Sequence, residues 1–528
     1  MGFYKGQPDI IIRNGTIVDG RGTLPYYADV AVVGDKIDYI GNLKGVSAPL
    51  EIDATGKYVT PGFINSHTHA DRSIRKYPDC KSAVYQGVTT EIVGNCGLLV
   101  LSATPNEDGT YPKGAVAAAL DEVDEMGASM NTAWLCGHNQ LRIMANLYTP
   151  DYTEEQFQIM ADFLREAMEA GYIGLSTGLE FVPGVVSRPE EIERLAQIVA
   201  EYDGNYSTHM RDEGYYVLES VDEFLNVIRK TGLRGMISHL NIKYDNGVPN
   251  DYLFKGMQML KDAREKEHLN VYCDMLPNCF APGGAMAMLP PWLYKEGWDK
   301  AREILADPEG REKVKNDLDR YWRFLAYGQW DRLLYINCPH NPEISTTPFA
   351  ELVKQSGKEP VDVYLDAMMS APTMAAANAM GLMGTVFHEQ ILIDSVISDP
   401  IYLWQTDSAV YEEGCGEGRI HDFMSMSQFF VRYVKELGAI SIQDAVKKVG
   451  CIPAQHYGLE KRGTLEVGYF ADINVFDLNE LKINATFADP RKHSSGMDYV
   501  IVNGTPVIAK GEHTGARSGR VLRHLPKK

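Results

Sequence analysis

The run Pro61-Gly62-Phe63-Ile64-Asn65-Ser66-His67-Thr68-His69 joins a short apolar strand candidate to two histidines set two residues apart. On an extended backbone, residues two apart share a side, so both imidazoles face one way and can share one metal ion. Seven further apolar runs between residues 58 and 410 also lead to a polar or metal-competent residue. They finish at Cys96, His138, Ser176, His209, His239, Asp274 and Asp407. In a (β/α)8 barrel the active site forms at the C-terminal ends of the strands, so eight strand candidates with reactive ends predict that α/β fold. The set argues this more strongly than any member.

The segments between the runs carry helical stripes, as parallel βαβ units require. Thr153 with Gln156 makes a capping box ahead of Phe157, Met160, Ala161, Leu164 and Met168, and Ser187 with Glu190 makes another ahead of Ile192, Leu195, Ile198 and Val199. Val217, Leu218, Val221, Phe224, Leu225 and Ile228 stripe a third helix. A stretch at about 282–340, rich in Trp, Tyr, Lys and Asp, breaks the alternation and reads as an insertion. Outside this region the texture is β-like. Ile10-Ile11-Ile12, Gly15 to Val18, Asp29 to Val33 and Lys36 to Ile40 precede it, and Ala471 to Phe476 and Tyr499 to Gly504 follow it. Neither fragment can bury a sheet face alone, so residues 1–60 and 457–528 are expected to build one β domain beside a catalytic barrel over 61–456.

The chain has 528 residues, 45% hydrophobic and 23% charged, enough to bury a large core. Its 51 Lys and Arg against 71 Asp and Glu leave a formal charge of −20, which argues against a nucleic-acid partner. No run reaches the roughly 18 apolar residues of a membrane span, and Met1 to Gly20 lacks a basic start before an apolar block, so a soluble, unexported chain is expected. Eight cysteines with no CxxC pair fit a reducing cytoplasm. Cys80, Cys136, Cys273, Cys338, Cys415 and Cys451 read as inert thiols.

Cys96 closes the second run and offers a thiolate, a strong zinc ligand. One strand-end histidine is more often a hydrogen-bonded core residue than a ligand, but His67, His69, His209 and His239 together point to a metal. Asp407, after Tyr402 to Thr406, supplies a carboxylate able to bind metal and to take a proton from water. Two other readings are weighed against this one. Gly174-Leu175-Ser176-Thr177-Gly178 fits the GxSxG of serine hydrolases, but Phe181-Val182-Pro183-Gly184 stands where a nucleophile elbow needs a helix. A non-catalytic binding barrel would require a broken ligand set, and this one is intact.

The chain resembles the amidohydrolase superfamily, and more closely its N-acyl-D-amino-acid deacylases, the D-aminoacylases. The resemblance runs through Asn14 to Gly20, Pro61 to His69, Val93-Gly94-Asn95-Cys96-Gly97, Ser176-Thr177-Gly178-Leu179, Thr208-His209-Met210-Arg211-Asp212-Glu213, Ile237-Ser238-His239-Leu240 and Gly468 to Ile473. It implies a barrel beside a β-sandwich and a binuclear-type zinc centre. By family motif Cys96, His209 and His239 hold the tighter zinc, and His67, His69 and Asp407 form a second, weaker site. The bridging lysine of many amidohydrolases is missing from Gly174 to Gly178, and Cys96 substitutes for it. The implied activity is hydrolysis of a non-peptide amide C–N bond in a small molecule by metal-activated water. Asp407 is the proton carrier and His138 an aid to the oxyanion. Such a cytoplasmic enzyme needs neither membrane nor nucleic acid, and a homo-oligomer is compatible with it.

The resemblance fails at the groups that hold the substrate carboxylate in that family. A Lys, a Tyr-Pro-Tyr and a His-Pro-Arg are replaced by Asn241, Leu276-Pro277-Asn278 and His421-Asp422-Phe423. The expectation is an amide or cyclic amide lacking a free carboxylate, lined by Phe181, Asn241, Lys243, Leu276 and Phe423. The alternative is a true N-acyl-D-amino-acid deacylase whose clamp is rebuilt from Lys243, Arg419 or Arg211.

Overall fold

The computed structural model describes residues 4, 6–101, 103–107, 109–242, 247–294, 296–318, 323–386 and 389–524; Lys243 lies outside them. Among these residues eight parallel strands pair in chain order: β1 (Phe63–Asn65), β2 (Val88–Val93), β3 (Asn131–Gly137), β4 (Gly174–Gly178), β5 (Asn205–His209), β6 (Arg234–Ile237), β7 (Val271–Met275) and β8 (Tyr402–Trp404). The ring closes just past β8 and β1. There Thr406 N donates to Asn65 Oδ1 at 3.1 Å, Asp407 N to His67 O at 3.2 Å and His69 N to Ser408 O at 2.7 Å. This is the predicted (β/α)8 barrel. Its strands are buried on both faces, which is why they read as apolar runs rather than alternating ones. Ile64, Ile92, Ala133, Leu135, Ile173, Met236 and Leu403 form one interior cluster, closed from below by Ala454, Tyr457 and Leu459. The Tyr457 hydroxyl reaches up to donate to Ser66 O at 3.0 Å.

The outer helices follow the sequence stripes. Glu154–Ala170 opens with the expected capping box, Gln156 N donating to Thr153 Oγ1 at 3.2 Å and Thr153 N to Gln156 Oε1 at 3.1 Å. The second box does not form. Pro189 occupies the first helical position, so Arg188 becomes the N-cap and the Ser187 hydroxyl donates to Gly184 O instead. Between β7 and β8 the strands Phe280–Gly284, Leu333–Asn337 and Gly381–Thr385 form a separate antiparallel sheet; the stretch expected as an insertion falls within this region.

Both chain ends meet in one sheet, where Ile473–Phe476 pairs antiparallel with Tyr58–Pro61, the strand that leads through Gly62 into β1. Ile10, Ile12, Ile17, Val30 and Val32 bury a face with Val59, Leu465, Ile473, Val475 and Ile501. Asn503 Nδ2 donates to Asn131 Oδ1 at 2.8 Å, joining this sheet to the foot of β3. No helix among the described residues is long and apolar enough to cross a membrane.

Gly94, just past β2, has φ +76°, and a Cβ there would meet Leu135 O at 2.1 Å. Gly45 has φ +84° with nothing within 4 Å. Both alanine substitutions incur left-handed strain of about 1–2 kcal/mol, but only Gly94→Ala also forces backbone apart. Gly94→Ala is expected to lower the melting temperature at least about twice as far as Gly45→Ala, read by scanning calorimetry.

Candidate metal centre

The reactive residues leave their strands through unusual backbone. Cys96, His239 and Asp407 have φ of 54°, 38° and 49°. Left-handed backbone is costly for side-chain-bearing residues and collects at functional sites. Each is over-determined by its neighbours. The turn carrying Cys96 is sewn to β4 and to the helix after β3: Gly97 N donates to Ser176 Oγ at 3.1 Å, the Ser176 hydroxyl donates to Gly94 O, and Asn139 N donates to Gly97 O at 3.0 Å. His239 N donates to Asp274 Oδ1 at 2.7 Å. Asp407 is held by the ring-closing bond to His67 O. Ser176 therefore spends its hydroxyl on the backbone, and no histidine is among its hydrogen-bond partners in the described residues.

Six predicted ligands from five strand ends converge. Among the described residues three groups bring their donor atoms within 4.8 Å of one another: His67, Cys96 and His239; His67, His69 and Asp407; and His209, Glu213 and His239. Cys96 Sγ is 3.4 Å from His67 Nε2 and 3.6 Å from His239 Nε2. Asp407 Oδ1 is 3.5 Å from His67 Nε2 and 3.0 Å from His69 Nε2. His209 Nδ1 lies 3.1 Å from His239 Nε2. All six are buried or nearly so.

Burial opposes ionisation of the Cys96 thiol, but the charge of His67 and hydrogen bonds from His209, His239 and His67 outweigh it and hold the thiol well below its ordinary range. Burial likewise opposes charge on His67, yet Cys96, Asp407 and Asp274 raise it to about 10. Asp407 is held well below the usual carboxylate range, burial being overcome by His67 and His69. Without a cation the thiolate and carboxylate are thus neutralised by imidazolium protons, the arrangement a divalent ion exchanges for itself. His67 Nδ1, His69 Nδ1 and Asp274 Oδ2 are buried with no hydrogen-bond partner among the described residues. A sulfur, nitrogen and oxygen donor set this close fits zinc.

Two carboxylates to which the sequence reading gave no role orient the imidazoles. Glu213 Oε1 lies 2.6 Å from His239 Nδ1, and Glu180 Oε2 lies 3.0 Å from His209 Nε2. Such partners fix ring orientation and raise ligand basicity. Glu213, four residues past His209, sat inside a quoted motif; Glu180 carried no pattern.

The other predicted residues scatter. The Phe181 ring is 4.4 Å from the His209 ring, at the centre. Asn241 Nδ2 donates to His239 O and lies 3.4 Å from Glu213 Oε2. Leu276 is buried one residue past β7. His138 lies outside the three groups. It opens the helix His138–Met144, with Nε2 2.7 Å from Glu191 Oε1, a carboxylate also gripped by Arg142 at 2.6 Å. Phe423 is buried in a separate cluster with Ile420, Met424 and Ala485. Arg211 is engaged bidentately by Glu223 at 2.8 and 2.9 Å. Arg419 is half-buried; its backbone N–H donates to Asp422 Oδ2 at 2.5 Å, while its guanidinium has no acidic partner among the described residues and places Nη1 3.6 Å from where a Gly381 Cβ would stand. Gly381 pairs with Gly284, whose own Cβ would meet the Phe181 ring at 3.7 Å. The small sheet thus runs from Arg419 to the residue above His209.

A sequence model of the amidohydrolase family matches residues 50–309 and 408–508. D-aminoacylase of Alcaligenes xylosoxydans xylosoxydans is 30% identical over 99% of both chains. N-acyl-D-glutamate deacylase of the same organism is 28% identical over 98% of this chain and 96% of its own. The fold is similar to the crystal structure of N-acyl-D-glutamate deacylase from Bordetella bronchiseptica, complexed with zinc and a phosphonate mimic of the tetrahedral intermediate. The TM-score is 0.79 and the identity 27%, over 98% of this chain and 100% of that one.

Elemental analysis of the purified protein is expected to find a transition metal, predominantly zinc. Cys96→Ser should lower metal content well below that of Cys136→Ser or Cys273→Ser, because burial pushes those two thiols up and keeps them protonated. Equal metal content in all three would show Cys96 to be an ordinary buried thiol.

Proposed function

The chain belongs to the amidohydrolase family, and from that premise we propose that it is a metal-dependent deacylase hydrolysing the amide C–N bond of an N-acylated amino acid. The convergence of His67, His69, Cys96, His209, His239 and Asp407 carries the hydrolytic part of this reading. Cys96, His209 and His239 would hold the tighter ion, and His67, His69 and Asp407 the second. Zinc so held would supply a water of pKa about 7 and a Lewis acid for an amide carbonyl. Asp407, ionised beside His69, takes the proton of the attacking water on its carboxylate and delivers it to the leaving nitrogen. Glu180 and Glu213 hold the imidazoles of His209 and His239 in place, and Phe181 keeps water from one side.

The substrate class is supported by Arg419. A half-buried guanidinium with no acidic side-chain partner among the described residues, beside the sheet that reaches Phe181, suits a carboxylate, whose burial without a cation costs several kcal/mol. The sequence reading inferred a dismantled clamp from Asn241, Leu276-Pro277-Asn278 and His421-Asp422-Phe423, and named Arg419 among the replacements; four residues before Phe423, Arg419 would offer the cation. A second reading, an uncharged amide or cyclic amide, is favoured by Asn241 and Leu276, which bring neither cation nor phenol.

Matched N-acyl-D-amino acids and their amides, compared by kcat/KM, separate the two. The acid is expected to lead by at least about tenfold, and Arg419→Gln to erase most of that lead. A clear win for the amides would favour the second reading. Asp407→Asn should keep the fold but lower turnover by at least about a hundredfold, since an amide cannot carry the proton. Ser176→Ala, which loosens the turn carrying Cys96, should lower activity far less than Asp407→Asn; complete loss alongside a mild Asp407→Asn would overturn the metal mechanism.

A further inference from the structure

A pocket lies at the end of the barrel opposite the metal centre. About 370 Å³ in volume, it opens beside the start of β7 and the helix Cys451–Tyr457, lined by Arg264, His268, Leu269, Tyr272, Ile452 and His456. His456 is 1% exposed, and neither ring nitrogen has a hydrogen-bond partner among the described residues. A buried imidazole left this way forfeits both its donor and its acceptor bond, a cost proteins rarely leave unrelieved. Its ring stands edge-on to Tyr272, with centroids 5.3 Å apart.

Arg264 is built into the same wall. Its guanidinium lies 4.0 Å over the Tyr272 ring, donating from Nη1 to Val271 O at 2.8 Å and from Nη2 to Tyr272 Oη at 3.0 Å. These bonds fix its orientation without neutralising it, and no carboxylate among the described residues pairs with it. In a chain with 71 acidic and 51 basic residues, an arginine held in place yet left without an anion is a prepared cation. Burial, with Arg234 and Arg264 nearby, holds His456 neutral, so its ring keeps one N–H to donate.

We propose that this pocket binds a small carboxylate anion, one oxygen on the Arg264 guanidinium and the other on the His456 N–H, with its apolar part against Leu269 and Ile452. A carboxylate matches a planar fork and one imidazole donor, while a larger or more highly charged anion meets the repulsion of a chain at −20. The proposal is independent of the chemistry at the metal centre, which occupies the other rim.

The test is NMR of the whole protein labelled with 13C at histidine Cε1, titrated with sodium butyrate and, separately, with butyramide. The His456 signal is assigned by its loss in His456→Gln. Butyrate is expected to move that signal saturably, butyramide to leave it unmoved, and Arg264→Gln to weaken the butyrate response at least about tenfold. The proposal is overturned if the His456 signal does not saturate, if it answers butyramide equally, or if only His67, His69, His209 and His239 respond. An unchanged affinity in Arg264→Gln would also overturn it. The acid-against-amide comparison in the unmodified protein decides even where a variant folds poorly.

Discussion

Burying His67, His69, Cys96, His209, His239 and Asp407 side by side strips each of hydration, and their mutual attraction, with that of Glu180, Glu213 and Asp274, offsets that loss. Much of the surrounding structure serves this balance. Cys96 has to reach His67 and His239 at once, so its turn leaves β2 left-handed and is fastened by Ser176 and Asn139. Glu180 and Glu213 stand behind the imidazoles of His209 and His239, and Asp274 also secures the backbone of His239 through its N–H. A hydroxyl that resembles a nucleophile in sequence is thereby a fastening for a ligand loop.

The barrel was legible because parallel strands buried on both faces must be apolar throughout and because reactive residues sit at their ends. That signal is local, and it located β1 to β8 from short runs. The HxH pair and Cys96 were legible for the same reason. The capping box at Thr153 needs only four residues to be seen; the one at Ser187 was undone by Pro189, whose preset φ starts the helix one residue later. What the sequence hid is long-range. His138 meets Glu191 from a different helix, and nothing near either residue announces their pairing. Glu180 acquires meaning only once β4 and β5 lie side by side.

Phe423 and Arg419 show how residues four apart can meet different surroundings. They flank the start of one helix, Ile420–Gln428, and the first turn divides their environments. Phe423 turns into apolar packing with Ile420 and Met424, while Arg419, still outside the helix, extends along the small sheet that follows β7. Sequence spacing named both residues, Arg419 among those from which a clamp could be rebuilt, but not which of them reaches the roof over this side of the barrel. The three strands inserted between β7 and β8 supply that roof.

The joining of β8 to β1 also bears on the order in which the site comes into being. Asn65 and Thr406, which hold the seam, are 341 residues apart, and Asp407 meets His67 and His69 only across it. Bringing such distant segments together is among the most entropically expensive steps in folding and follows the local pairings. Of the six donors, Asp407 therefore joins the others only once the ring is shut. An ion held by His67, His69 and Asp407 would therefore be received by a closed barrel rather than direct its closure.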